Sequence, residues 1–303
     1  MTAAASTWQR LHPHTLEQTA LTPDNRGLAY GDGFFSTLGV IEGMIVWQDY
    51  HYQRLISHAA ALQLALDSQA LMATLQACAQ QLEQGMMKVV VTRAVQPVRG
   101  YGFTPGAAGS ASEVWLKSVA MPIDTVNKLL LPDGRTLLMQ PAMTVSCLQA
   151  QLACLPPPLS GLKSLNRLDS VLASGELQAL KVTEPNIGEG LVRDMSGSWV
   201  EGTMSNVFYQ LSSRSAAGET QTDSEYLLSG QWYTPPLTSS GVAGVMRQVI
   251  IDALANTDRP VVMRSLHDED LPNLTQMFFC NALRGVMPVS ALVLLSGQAV
   301  EFN

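Results

Sequence analysis

The sequence predicts a mixed α+β protein in two domains. Three observations carry that reading. Runs rich in β-branched and aromatic residues at 34–41, 86–93 and 114–119 read as strands. Helical spacing of apolar residues recurs at 49–66 and 69–83, and again after 166, without the strict strand–helix alternation of a doubly wound sheet. The chain has 303 residues, enough for two domains of ordinary size. The composition shift at Met121-Pro-Ile-Asp-Thr-Val-Asn127 suggests a linker at 121–127, with domains at 1–120 and 128–303.

In chain order, Asp24-Asn-Arg-Gly27 and Tyr30-Gly-Asp-Gly33 read as turns, and Glu42-Gly43 as the hairpin turn after the first strand. The Gly/Pro-rich stretch 97–109 reads as a loop. Asn166 is a suitable N-cap, and Asp169 places a carboxylate in the first turn that follows. Leu168, Val171, Leu172 and Leu177 then keep helical spacing. Segments 190–194 and 199–211 read as a hairpin, Gly241-Val-Ala-Gly244 as the start of a helix to about 255, and 261–264, 276–280 and 289–295 as late strands. The polar stretch 212–225 reads as a surface excursion.

Composition narrows the function. Eighteen Lys and Arg against 25 Asp and Glu give a net charge of −7, which disfavours nucleic acid and anionic membrane surfaces as partners. A few local arginines suffice for a small anionic substrate. No run approaches the roughly 18 apolar residues of a membrane span, and residues 1–14 lack a secretory pattern, so a cytoplasmic protein is expected. Cys78, Cys147, Cys154 and Cys280 show no CxxC spacing and read as small buried residues; no metal-ligand motif is visible.

Several residues carry possible chemistry. Lys163 follows the rigid run Leu155-Pro-Pro-Pro-Leu159 and precedes a helix. Read alone it is either a solvated loop lysine or a partly desolvated nucleophile toward a carbonyl. Thr238-Ser-Ser-Gly-Val-Ala-Gly244 combines hydroxyls, glycines and a helix start, a cradle for phosphate or simply a common turn. Arg54, in His51-Tyr-Gln-Arg-Leu, is a phosphate clamp or a surface arginine. Glu201 lies among apolar strand residues, where a carboxylate needs a partner such as a cationic ring nitrogen, unless the strand is an exposed edge. Arg93 and Val98-Arg99-Gly-Tyr101-Gly place positive charge and a phenol where a substrate carboxylate could be captured, or where solvent is the only partner.

In this order, Arg26-Gly-Leu-Ala-Tyr-Gly-Asp-Gly33-Phe-Phe, His51-Tyr-Gln-Arg54-Leu, Lys163-Ser-Leu-Asn-Arg-Leu, Glu201-Gly-Thr-Met-Ser-Asn206-Val-Phe and Gly241-Val-Ala-Gly-Val-Met-Arg247 resemble the fold-type IV pyridoxal-phosphate enzymes. Gly161-Leu-Lys-Ser-Leu-Asn-Arg-Leu-Asp, Arg99-Gly-Tyr101 and Cys280-Asn-Ala-Leu-Arg-Gly-Val-Met-Pro-Val resemble the aminodeoxychorismate lyase branch. Ser36-Thr37 departs from the Glu-Thr of many relatives, and 212–225 looks like an insertion.

The resemblance implies two domains with pyridoxal 5'-phosphate between them. It implies Lys163 as covalent anchor and base, and Glu201 as partner of the pyridine nitrogen. Arg54, Asn206, Val242, Ala243 and Gly244 would complete the cofactor site. Arg99, Tyr101, Phe35 and Thr37 would meet the substrate. The implied reaction converts 4-amino-4-deoxychorismate to 4-aminobenzoate and pyruvate, a step of folate biosynthesis, in a homodimer. The alternative on the same scaffold is an aminotransferase of D- or branched-chain amino acids; a non-enzymatic phosphometabolite binder is the third reading.

Overall fold

The computed structural model describes residues 8–12, 15–17, 21–124, 127–212, 227 and 230–302. Of the expected polar excursion, residues 213–225 lie outside the described residues. The chain divides into two units: Met1–Ile123 with Leu162–Asn166, and Asp124–Gly161 with Arg167–Asn303. Helix and strand are mixed in both, as an α+β chain requires. No described helix is long and apolar enough to cross a membrane.

The first unit is built on a six-stranded antiparallel sheet. Its strands are β1 (Gln9–His12), β2 (Thr15–Glu17), β3 (Gly33–Ile41), β4 (Met44–Ile45), β5 (Gly85–Arg93) and β6 (Ser112–Ala120), in the order β2-β1-β6-β5-β3-β4. Alternation along β3 puts Phe34, Leu38 and Val40 into an apolar core with α2 (Gln48–Ala61) and α3 (Ser68–Leu82), and turns Phe35 and Thr37 to the opposite face. Short helix α1 (Arg26–Tyr30) stands where a turn is expected; the Asn25 side chain caps it by accepting from Gly27 and Leu28 N–H. A second short helix, α4 (Ala107–Ser110), interrupts the expected loop. Trp47 takes a left-handed φ of 58°, which ends β4 early and starts α2.

The second unit holds a hairpin of β7 (Lys128–Leu130) and β8 (Thr136–Leu138), and a larger sheet. That sheet contains β9 (Met143–Leu152), β10 (Ile187–Asp194), β11 (Trp199–Gly202), β12 (Asn206–Leu211), β13 (Tyr233–Thr234), β14 (Val262–Met263), β15 (Leu274–Asn281), β16 (Gly285–Val293) and β17 (Ala299–Glu301). The order is β11-β10-β9-β16-β15-β12-β13-β14, with β17 on β16, and a β11–β12 pairing closes six of the strands into a ring. Helix α5 (Leu168–Thr183) packs Ala173 and Leu177 against this sheet. Helix α6 (Val245–Leu254) starts directly after Gly244, as expected.

The structure departs from the sequence expectations at several points. Asn166 is not the cap: α5 begins at Leu168, and Arg167 occupies the cap position without a side-chain cap bond. Leu168, Val171 and Leu172 keep helical spacing but point outward. Cys154 is exposed and Cys78 half-buried, while Cys147 and Cys280 are buried. The expected 128–303 domain also differs at the lysine. Residues Leu162–Asn166 group with the first unit because their backbone pairs with β3.

Candidate active site

Strand β4 pairs only with the Val40–Ile41 end of β3. The other end of that β3 edge receives the lysine segment. Phe35 N–H donates to Lys163 O at 3.0 Å, and Leu165 N–H donates to Gly33 O at 3.0 Å. The Lys163 N–H donates to His58 Nε2 at 3.0 Å, so the lysine backbone is fixed on both sides. Its Nζ lies 4.7 Å from the centre of the Phe35 ring, and Lys88 Nζ lies 4.8 Å from the same ring. Lys163 is thus half-buried, with its backbone held at a defined place on β3.

Because His58 Nε2 accepts a hydrogen bond, its proton sits on Nδ1, which donates to Ser57 Oγ at 3.2 Å; Ser57 Oγ in turn donates to Arg54 O. The imidazole must stay neutral to hold Lys163. Burial, then the charges of Arg54 and Lys163, push its pKa down to about 3. His51 follows the same logic. Its Nδ1 is 2.9 Å from Ser36 Oγ, which also accepts from Arg54 Nη1 at 3.4 Å, and burial with the Arg54 charge pushes it to about 3. Arg54 itself is buried, which pushes its pKa down to about 10. Arg54 and Lys163 place positive charge beside these imidazoles. A phosphate suits that environment.

A pH dependence follows. Both folded-state values lie below the ordinary histidine value of 6.5, so the unfolded chain binds more protons between about pH 3 and 6.5. The stabilisation is present above pH 6.5 and is lost as pH falls, at up to about 1.4 kcal/mol per pH unit for each histidine. Urea denaturation at pH 7 and pH 5 should show a loss of about 2 kcal/mol per histidine. His51→Gln should flatten the trend; an unchanged slope in that variant removes His51 as its source.

In the second unit, the Glu201 carboxylate is buried and accepts hydrogen bonds at both oxygens. Val242 N–H donates to Oε2 at 2.8 Å, Asn206 Nδ2 to Oε2 at 3.2 Å, and Arg167 Nη2 to Oε1 at 3.3 Å. This rules out the exposed-edge reading. The expected phosphate amides are otherwise engaged: Val242 N–H by Glu201, and Ala243 N–H by Gly161 O at 2.9 Å. Asn206 also braces the turn, donating to Val242 O at 2.8 Å, and a Cβ on Gly244 would run into the Asn206 amide oxygen. Asn206 and Gly244 thus shape the turn that carries Glu201's partner. Ser240 Oγ donates to Asp194 at 2.6 Å and fixes the turn from the other side.

Arg93 is corrected from carboxylate capture to structure. It is buried, paired with Asp32 at 2.9 Å, and donates to Leu62, Gln63 and Gly109 carbonyls. Arg99 and Tyr101 are exposed on a loop whose backbone is held by Arg26, which donates to Gly100 O and Tyr101 O. Phe35 and Thr37 share one face of β3, and Thr37 pairs across the sheet with Lys88. Sequence reading missed His58, Lys88, Arg167 and Asp32. Arg167 had a visible signal in the lysine motif and Asp32 in the Arg26–Gly33 motif; His58 and Lys88 had none.

Comparison with known proteins places the chain. Residues 33–292 match the family model for class IV amino-transferases. An aminodeoxychorismate lyase from Vibrio harveyi is 24% identical over 278 residues, 91% of this chain and 89% of that protein. The crystal structure of a 4-amino-4-deoxychorismate lyase from Pseudomonas aeruginosa has a TM-score of 0.72 and 31% identity, covering 90% of this chain and 88% of that one. A hypothetical aminotransferase from Mycobacterium tuberculosis, in its PLP-bound form, shares the fold at 16% identity, with a TM-score of 0.68 over 99% of this chain and 94% of that one. With its buried carboxylate, its β3-bound lysine and a family match across most of its length, the chain belongs to the class IV aminotransferase family, that of the fold-type IV enzymes.

Proposed function

We propose that this protein is a pyridoxal-phosphate lyase that converts 4-amino-4-deoxychorismate to 4-aminobenzoate and pyruvate. The observation that carries the reading is Lys163, whose backbone is fixed by His58 and β3 and whose Nζ lies over the Phe35 ring. The names of the Vibrio and Pseudomonas relatives favour the lyase over the aminotransferase on the same scaffold.

The residues present fit pyridoxal 5'-phosphate. Lys163 supplies an amine for covalent attachment, buried Arg54 supplies positive charge for the phosphate, and Glu201 supplies a carboxylate for the pyridine nitrogen. Bound, the cofactor supplies a sink for the electrons left when a proton departs beside the substrate nitrogen. Lys163 Nζ would remove that proton from the ring carbon. The ring C–O bond then breaks, the enolpyruvyl group leaves and gains a proton as pyruvate, and the ring becomes aromatic. Arg167 is a positioning residue that holds Glu201 from the side opposite Val242.

The substrate is a dianion, and cations on the first unit are its natural partners. Lys88 sits beside Phe35, with its pKa lowered by burial and then by Lys117. Arg99 and Tyr101 are exposed on the loop that Arg26 tethers, and Phe35 and Thr37 share the β3 face paired with Lys88. Arg99→Ala should raise KM about tenfold with little change in kcat, the loss of one charged hydrogen bond. An unchanged KM removes Arg99 from that role.

The deciding assay incubates purified protein and cofactor with aminodeoxychorismate and measures 4-aminobenzoate and pyruvate. Amino-group exchange with 2-oxoglutarate, without 4-aminobenzoate, overturns the lyase in favour of the aminotransferase. Pairing into a homodimer is part of the same proposal.

A further inference from the structure

Glu189, in β10, is a buried carboxylate that the chemistry proposed above does not use. Its partners are neutral hydroxyl and amide donors. Oε1 accepts from Thr203 Oγ1 at 2.6 Å, Gly190 N–H at 2.9 Å and Thr203 N–H at 3.1 Å, and Oε2 accepts from Ser205 Oγ at 2.8 Å. A carboxylate taken out of water is costly unless donors meet it. Glu189 satisfies that condition, and its bonds are charge-assisted, shorter and stronger than neutral ones.

Thr203 and Ser205 belong to the turn that joins β11 to β12. Glu201 and Asn206 face each other across its mouth as a cross-strand pair, and Gly202 N–H donates to Ser205 O at 2.7 Å. That backbone bond already closes the turn, so Glu189 does something further: it fixes the turn against β10. Gly202 makes room for this. A Cβ there would run into Ser205 Oγ and stand 3.0 Å from the Glu189 carboxyl carbon. From the other side the hold is slight. Met204, at the tip, is 69% exposed, and Asn281 Nδ2 reaches its carbonyl at 3.4 Å.

We propose that Glu189 is a positioning residue for the acid of the candidate site: by fixing residues 203–205 it sets where Glu201 and Asn206 present their side chains. It grips the turn between the two and acts on them through the backbone. The effect reaches the glycine turn as well. Glu201 Oε2 accepts from Val242 N–H and Asn206 Nδ2 donates to Val242 O, so a displaced β11–β12 turn moves both braces of Val242. The inference rests on the reading of Glu201 as the acid that meets the pyridine nitrogen, but its first test needs no cofactor.

Hydrogen exchange of the whole protein, before cofactor is added, is that test. In Glu189→Gln the amides of residues 202–205 and of Val242 should exchange about tenfold faster than in the wild type, the loss of one hydrogen bond to a charge. Asp270→Asn, which weakens the Arg264 pair elsewhere in the same unit, should lower stability in urea and leave those amides unchanged. Unchanged exchange in Glu189→Gln, or an equal rise in Asp270→Asn, overturns the proposal. A second arm adds pyridoxal 5'-phosphate. Glu189→Gln should bind it about tenfold more weakly, and kcat per bound cofactor should fall about tenfold with KM for aminodeoxychorismate unchanged. Affinity and kcat both equal to the wild type overturn the proposal. A wild type that takes no cofactor overturns the function proposed above, and the exchange arm then decides this inference by itself. Where Glu189→Gln does not fold, Ser205→Ala carries both arms, since it removes the donor at Oε2 and keeps the carboxylate; its expected effects are about threefold.

Discussion

Lys163→Ala is expected to fold normally, take no covalently linked cofactor and lose at least about 10⁴-fold in 4-aminobenzoate formation. The fold should survive because the segment is held by backbone groups. Its N–H reaches His58, its carbonyl accepts from Phe35, and Leu165 N–H reaches Gly33, none through the lysine side chain. What is lost is one amine with two roles, anchor and base, and nothing beside it duplicates both. Lys88, 4.8 Å from the centre of the same Phe35 ring, lies within β5 between Thr37 of β3 and Lys117 of β6 and outside the lysine segment, so Lys88→Ala should keep the linked cofactor. Visible absorbance of the reconstituted protein and a product assay check the pair. A coloured, active Lys163→Ala protein removes the lysine from the chemistry, and colour lost only in Lys88→Ala moves the anchor to that residue.

The lysine segment of the first unit and the Glu201 cluster of the second were each legible in the sequence in part. Lys163 and Glu201 could be singled out because each sits in a run where its charge is out of place: a lysine wedged between prolines and a helix, and a carboxylate in an apolar strand. Their partners could not. His58 is an ordinary helical position in sequence; only the pairing of Ser164 with Phe34 brings the lysine segment over α2. The glycine turn was legible as a turn, yet its amides serve Glu201 and Gly161, because a buried carboxylate takes the nearest N–H donors. Helix α5 shows the limit of periodicity. Leu168, Val171 and Leu172 have the spacing of a buried face, but spacing does not say which side is buried. Ala173 and Leu177, with the inward-bonded Asp169 and Glu176, decide it. Strand β9 escaped notice because its middle, residues 145–148, is buried on both faces and lacks alternation.

Asp32 carries the second large expected effect, on stability rather than chemistry. One carboxylate oxygen accepts from Arg26 Nε at 2.8 Å and from Arg93 Nε at 2.9 Å, and both guanidinium groups are nearly closed to solvent. The pair ties three segments together: Arg26 holds the carbonyls of Gly100 and Tyr101, and Arg93 those of Leu62, Gln63 and Gly109. Asp32→Ala leaves two buried cations with no shared anion. Removing one partner of a buried ion pair costs about 3–5 kcal/mol, a large share of the 5–15 kcal/mol that keeps a domain folded. Asp32→Asn keeps an acceptor but not the charge, and should fall between the two. Guanidinium or urea denaturation at pH 7 measures both. A loss below about 1 kcal/mol in Asp32→Ala means water reaches the arginines and the network is peripheral. The variant also loosens the Arg26 side chain that holds the backbone at Gly100 and Tyr101. KM should then rise in Asp32→Asn even where most of the protein remains folded, since Arg99 loses its fixed starting point between those tethered carbonyls and the strand.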